Sequence, residues 1–330
     1  MAPWTSIKLL LAAVPTLVVA LAALPAFAQT KLTVMVFQGM QNLPLLAAQS
    51  KGFFAKRGLD VDIKIAPSSD ELRDGLAAGR YQIVHGAVDN AVAMAEVAKI
   101  DVSIVLGGDN GFNRLIVQPG IGSYADLRGK TVLVDAPDTA YAFLLYEMLR
   151  QNGLTRGDYV VKPAGASFRR AEAMLQDKTA SASMLNPPFS LRVQSAGLKD
   201  MGSAVKAVGN YQATAAWVLS SWAPTNSDTL VRYIQAYIDG LRWGTAPSNK
   251  DEIIKMYVDA LKLPEALAAQ TYAIATDPAE GLAKDAEFDL DGFKNVLKLR
   301  SSMTGQWSGN PPAPEKYLDL SHYRKALAGL

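Results

Sequence analysis

The sequence predicts an α/β protein of two lobes, each a mainly parallel sheet flanked by helices. Three patterns carry that expectation. Strand, polar turn and helix alternate three times over residues 31–94, the short spacing of parallel strands joined by right-handed crossovers. The same rhythm restarts at Thr131. From Ala213 the chain gives one further strand and then only helical periodicity.

Residues 32–37 form an apolar, partly β-branched run, expected as a buried strand. A polar turn and a short helix over residues 43–50 follow. Residues 59–65 alternate Val61, Ile63 and Ile65 with Asp60, Asp62 and Lys64, a second strand. Ser68-Ser69-Asp70 opens a helix, residues 82–85 make a third strand, and residues 86–90 lead into an alanine-rich helix. Ligands of open parallel sheets sit beyond the carboxyl ends of the strands. The candidate binding residues are therefore those of the turns: Gln38, Gln41 and Asn42, then Ser68 and Ser69, then Asp89 and Asn90. One such turn alone reads as loop and cap residues; three at one edge read as a pocket rim.

Residues 101–106 give a fourth strand, broken by the Gly107–Gly111 stretch. Beyond it come strands over residues 114–117, 131–134, 159–162 and 180–185, with helices over 140–151 and 167–177. Asn186-Pro187-Pro188-Phe189 starts another helix, where proline suits the first turn. This second unit offers Asp138, Thr139, Ala140, Tyr141, Gly165 and Asn186, with Tyr211 at the return crossing. Residues 213–220 read as a strand carrying the chain back to the first unit. Helices over 227–243, 250–261, 264–274 and 291–303 are expected to cover that unit. The expected boundaries are 29–111 for the first part of lobe 1, 112–212 for lobe 2, and 213–330 for the return.

Residues 1–28 read as a signal peptide. Lys8 is their only charge, residues 9–24 are apolar, and Ala26-Phe27-Ala28 fits the small-x-small cleavage pattern. Pro15, Pro25 and the shortness of the apolar core argue against a membrane anchor. The expected product is soluble and periplasmic, cleaved after Ala28. With 33 basic and 31 acidic residues the chain implies no nucleic-acid partner. The absence of cysteine excludes disulfides, thiolate metal sites and a catalytic thiol. No cofactor is expected, and the chain is expected to be a monomer. His85, at the end of a strand, reads as a hydrogen-bonded structural histidine and His322 as a surface one. No Ser-His-Asp spacing or phosphate loop emerges, so the chain is not expected to be an enzyme.

The chain resembles the periplasmic solute-binding proteins of ABC importers in the nitrate, sulfonate, taurine and thiamine-precursor group. Four stretches carry the resemblance: residues 45–61 (LLAAQSKGFFAKRGLDV), 86–91 (GAVDNA), 123–132 (SYADLRGKTV) and 185–189 (LNPPF). What the resemblance implies is a type II periplasmic-binding-protein fold, crossed twice by the chain and closing over a small molecule. It also implies a membrane permease and ATPase as partners. The alternatives it brings are a pyrimidine-synthase-like enzyme, whose cysteine-rich iron motif a chain without cysteine cannot carry, and a ligand-presenting protein for a chemoreceptor. One turn departs from the family pattern. Where relatives present glycine and small hydroxyl residues, this chain has Asp135-Ala136-Pro137-Asp138-Thr139-Ala140. Asp138 is read as an N-cap, and Asp138 with Asp89 tilts the expected ligand towards a neutral or amine-bearing molecule. Arg114, Arg169 or Arg192 would reverse that if one reached the cleft, whereas Arg169-Arg170 at a helix start is expected to be solvated.

Overall fold

The computed structural model of the protein describes Met1 and residues 29–330. The expected signal peptide and its cleavage site lie outside the described residues. Among the described residues ten strands follow in order: β1 (Thr30–Val36), β2 (Leu59–Ile65), β3 (Ile83–Ala87), β4 (Val102–Asp109), β5 (Arg114–Val117), β6 (Thr131–Val134), β7 (Val160–Pro163), β8 (Ala180–Leu185), β9 (Lys199–Ser203) and β10 (Thr214–Leu219). They form two five-stranded sheets, β2-β1-β3-β10-β4 and β7-β6-β8-β5-β9. The two orders are the same when β6 to β9 are set against β1 to β4. In each sheet a single strand opposes the other four: β10 is antiparallel to β3 and β4, and β5 to β8 and β9. Both are the first strand the chain lays down after crossing from the other sheet. The mainly parallel two-lobed α/β fold that the sequence predicts is thus present.

Burial explains the strand sequences. β1 and β3 lie inside the first sheet, and Val34, Val36, Ile83 and Val84 are fully enclosed there. β2 is an edge strand, and its exposed Asp60, Asp62 and Lys64 blunt that edge against pairing with another chain. Ile65, expected on the inner face, is instead 46% exposed at the end of this edge. β8 is buried along its whole length and built largely of alanine and serine, which lets helices approach closely.

Between the strands run α1 (Leu43–Ser50), α2 (Phe53–Lys56), α3 (Ser69–Ala77), α4 (Asp89–Glu96), α5 (Ala140–Gln151), α6 (Ser167–Gln176), α7 (Phe189–Ser195) and α8 (Ala204–Val208). The tail carries α9 (Trp222–Thr225), α10 (Ser227–Thr245), α11 (Lys250–Leu261), α12 (Glu265–Ala275), α13 (Leu290–Thr304) and α14 (Ser321–Ala328). Helix α10 presents Leu230, Tyr233, Ile234, Tyr237, Ile238 and Leu241 to one face of the first sheet and packs on α1. Helix α13 departs from the expected role of covering the first lobe alone. It packs on α4 of the first unit and also on α5 of the second, so it straddles both. Strand β9 and helix α14 had no clear signal in the sequence.

Candidate functional site

A cavity lies where the carboxyl ends of the two sheets face each other. Gln38, just beyond β1, lines it with Gln41, Ser69 at the start of α3 and Asn90 in the first turn of α4. Thr214, the first residue of β10, joins them. The opposite wall is made by Asp135 after β6, by Thr139, Ala140 and Tyr141 at the start of α5, and by Ser167 and Arg170 of α6. Asn186, just past β8, closes that wall, and Phe37 adds an apolar surface. The cavity measures about 40 Å³. At the ~10–15 Å³ each water requires, it has room for roughly three waters.

Hydrogen bonds stitch the two walls together. The Ser69 backbone N–H donates to Asp135 Oδ2 at 3.2 Å. Asn186 Nδ2 donates to Gln41 Oε1 at 3.3 Å, and the Met40 N–H donates to Pro187 O at 3.2 Å. The Ala166 N–H donates to Pro67 O at 3.1 Å. Gly39 makes this approach possible: a Cβ there would fall 2.2 Å from Gln41 Oε1 and 2.6 Å from Asn186 Nδ2.

Arg170 is the cation of the site, and it is 1% exposed. Its Nε donates to Ser183 Oγ at 3.0 Å, and its Nη2 donates to Ser167 Oγ at 3.0 Å and Met184 O at 2.9 Å. Nη1 donates to Gly165 O. Burial pulls the guanidinium pKa down, and the charge of Asp135 pulls it back up. The Asp135 side chain is itself buried, and its Oδ1 has no hydrogen-bond partner among the described residues. Burial, reinforced by the charge of Asp109, holds the Tyr141 phenol well above its ordinary range, so it stays protonated.

Of the expected residues, the cavity gathers Gln38, Gln41, Ser69, Asn90, Thr139, Ala140, Tyr141 and Asn186. The others are placed elsewhere, each for a physical reason. Asn42 donates from Nδ2 to Phe37 O at 2.7 Å and so finishes the end of β1. Ser68 is the N-cap of α3, its hydroxyl accepting the Glu71 N–H at 3.3 Å. Asp89 is turned inward to an ion pair with Arg300 of α13, Nη1 to Oδ2 at 2.8 Å, with both side chains 2% exposed. Asp138 is exposed, and the N-cap position of α5 belongs to Thr139. Gly165 adopts φ of 75° and takes its place at the lobe boundary, where a Cβ would meet Pro67 O at 3.0 Å. Tyr211 is buried in the core beside the crossing.

The facing pair of carboxylates at Asp89 and Asp138 is therefore absent from the cavity. The carboxylate present is Asp135. The arginine present is Arg170, expected to be solvated, while Arg114, Arg169 and Arg192 lie outside the lining. Arg114 pairs with Asp200, and Arg192 with Glu172 at 3.2 Å. His85 is structural: its Nε2 lies 2.8 Å from the Tyr233 hydroxyl. A sequence signal for Asp135 existed, since it directly follows an apolar strand; the signal for Arg170 was one helical position from Arg169. Among the described residues no group of three or more metal-binding side chains is placed to hold an ion. No helix among them is long and apolar enough to cross a membrane.

The fold and the inter-lobe cavity together define a two-lobed binding-protein architecture. Residues 40–248 match the family model described as NMT1/THI5 like, and the chain belongs to that family. No curated protein matches the sequence. Among solved structures, a protein from Bordetella bronchiseptica RB50 superimposes with a TM-score of 0.76 at 21% identity, covering 92% of this chain and 98% of that one. The periplasmic nitrate-binding protein NrtA from Synechocystis PCC 6803 does so with a TM-score of 0.75 at 14% identity, covering 92% and 89%. The ligand-binding component of an ABC-type import system from Staphylococcus aureus, solved with zinc bound, gives 0.74 at 14%, covering 90% and 99%.

Proposed function

We propose that the chain is the extracytoplasmic solute-binding component of an ABC import system. It captures a small polar or aromatic molecule containing nitrogen or sulfur between its two lobes. The observation that carries this reading is the cavity itself. Polar side chains from the carboxyl ends of both sheets converge there, and hydrogen bonds cross from one wall to the other. A ligand drives such closure only through contacts it makes better in the closed form, and here both walls supply them. The family match supports the reading, as do an import-system ligand-binding component and a periplasmic nitrate-binding protein of the same fold.

In this reading the chain works in the periplasm after removal of residues 1–28, as a monomer. Its partners are a membrane permease and an ATPase. It carries out no chemistry on its ligand. Neither histidine lines the cavity, and the sequence has no cysteine.

Protein purified from its native extract without denaturant and then unfolded should release one small molecule per chain, identified by mass spectrometry. That compound, returned at about 100 times its dissociation constant, should stabilise the chain by about 2.7 kcal/mol. Asn90→Ala and Tyr141→Ala should each weaken its binding without lowering the unliganded melting temperature by more than a few degrees. Release of nothing, with no extract fraction stabilising the chain, would refute the reading.

A further inference from the structure

We infer that α13 is the bearing on which the second unit turns: the helix stays with the first unit, and α5 slides over it as the lobes part. The inference rests on the solute-binding reading for the motion itself and adds the element that guides it.

Polar bonds fasten α13 on one side. Arg300, near its C-terminal end, holds Asp89 of α4 in a buried ion pair. Arg300 Nε also donates to Gln306 Oε1 at 2.7 Å, so the turn after the helix holds the same guanidinium. At the other end the Asp289 N–H donates to Gln212 Oε1 at 2.7 Å, and Asn295 Nδ2 donates to Asn210 O at 2.9 Å. Gln212 and Asn210 belong to the return crossing. Gln212 Nε2 in turn donates to Asp109 O at 3.5 Å and Thr214 O at 2.5 Å, so one side chain ties the ends of β4 and β10 to α13. Such bonds have fixed directions, and separating a buried ion pair is costly.

The contact with α5 is of another kind. Phe143 and Leu144 of α5 share one apolar cluster with Phe293, Val296 and Leu297 of α13. The Arg300 guanidinium lies 5.8 Å from the centre of the Phe143 ring. Among the described residues no hydrogen bond or ion pair joins the two helices. Beside the contact a groove of about 260 Å³ is lined by Glu147 and Gln151 of α5 and by Lys298 and Ser302 of α13. Glu147 is bonded to Arg150 and Gln151 of its own helix. Apolar packing has no fixed direction, and small sliding of packed helices is one of the ways domains move.

The crossings permit that slide. Gly111 and Gly209 have φ of 94° and 81°. Each lies on the second-unit side of a fastened residue: Gly111 follows Asn110, whose N–H donates to Gly281 O at 3.4 Å, and Gly209 precedes Asn210. Glycine absorbs a backbone rotation there that a Cβ would resist.

The chain has no cysteine, so introduced cysteines carry nitroxide labels without competition. Lys294 on α13, Ala77 on α3 and Lys178 beyond α6 are exposed label sites. The three pairs of Lys294→Cys, Ala77→Cys and Lys178→Cys are measured by pulsed electron paramagnetic resonance, in chain refolded and dialysed free of small molecules. Each pair is measured with Gln41 and Asn186 intact and with Gln41→Ala and Asn186→Ala, which removes the side-chain bond across the cavity. In that background the distance between positions 77 and 178 should lengthen, and the distance between 294 and 178 should change with it. The distance between 294 and 77 should keep its value and width. A shift between 294 and 77 with none between 294 and 178 means that α13 travels with the second unit; it overturns the inference and leaves solute capture standing. A shift in both means that α13 is fastened to neither unit, and overturns it likewise. Three unchanged distances mean that α5 and α13 form a rigid joint, which also overturns it, while release of a co-purified molecule still decides the solute-binding reading by itself.

Discussion

His85 and Asp109 are buried groups whose pH responses oppose each other. Burial pulls the His85 pKa down to about 3 from its ordinary 6.5, so stability is full above about 6.5 and is lost as pH falls towards 3. Asp109 accepts hydrogen bonds from the Gly111 N–H at 3.0 Å and from the Thr214 hydroxyl. Burial nevertheless raises its pKa to about 7 from 3.8, so its contribution is full below about 3.8 and is lost as pH rises to 7. Between roughly pH 4 and 6.5 the two slopes cancel. Asp109→Asn should therefore make stability rise with pH across that window, by up to about 1.4 kcal/mol per pH unit, and His85→Gln should make it fall. Denaturant midpoints at both ends of the window check this. A second buried pair gives a second prediction: Arg300→Met should cost about 3–5 kcal/mol in urea unfolding, because it strands Asp89, and adding Asp89→Leu should recover most of that loss. At this scale the sequence was only partly legible. The turn after β6 announced a carboxylate in the cleft, but nothing in Asp135-Ala136-Pro137-Asp138 tells which aspartate the strand end points inward. Arg169 and Arg170 differ by a 100° turn of one helix, and that turn decides between solvent and cavity. The role of Asp89 is hidden in the sequence because its partner, Arg300, comes from a helix near the other end of the chain.

Elements were more legible than their contacts. Strands β6 and β8 and helices α5 and α11 have the bounds that periodicity predicts, because apolar spacing and turn residues are local signals. Strand β9 was missed because Lys-Asp-Met-Gly-Ser carries no apolar alternation; it is held by pairing to β5. Helix α14 is short, and its apolar residues are few. The contact of α10 with α1 was equally hidden, although one residue marks it. A Cβ at Gly240 would fall 2.1 Å from Pro44 O and 2.9 Å from the Ala48 nitrogen, both of the α1 backbone. Gly240→Ala should force the helices apart and destabilise the chain by about 1–3 kcal/mol, as overpacking does elsewhere, whatever it gains in helix propensity. The urea midpoint of that variant, set against Gly305→Ala, whose Cβ meets nothing within 4 Å but whose φ is 72°, separates crowding from backbone strain.

For the whole molecule, four hydrogen bonds cross between the walls of the cavity beside the apolar packing that the two units share, and two of their partners are side chains lining the cavity. Gln41→Ala combined with Asn186→Ala should raise the unliganded radius of gyration in small-angle scattering, with no change in melting temperature beyond a few degrees. An unchanged radius would mean that the backbone bonds and α13 hold the lobes by themselves. The return strand has a different consequence, one of time. β10 fills the gap between β3 and β4, pairing Ala216 with both His85 and Leu106, more than a hundred residues back. Until the chain as far as Leu219 is available, β3 and β4 each keep an open edge that neither the local helices nor the second sheet can close. Loop closure of that length is paid before the contact returns anything, so completion of the first sheet should be the slow event in refolding. During that interval the exposed edges are also where two chains would pair with each other instead of with themselves.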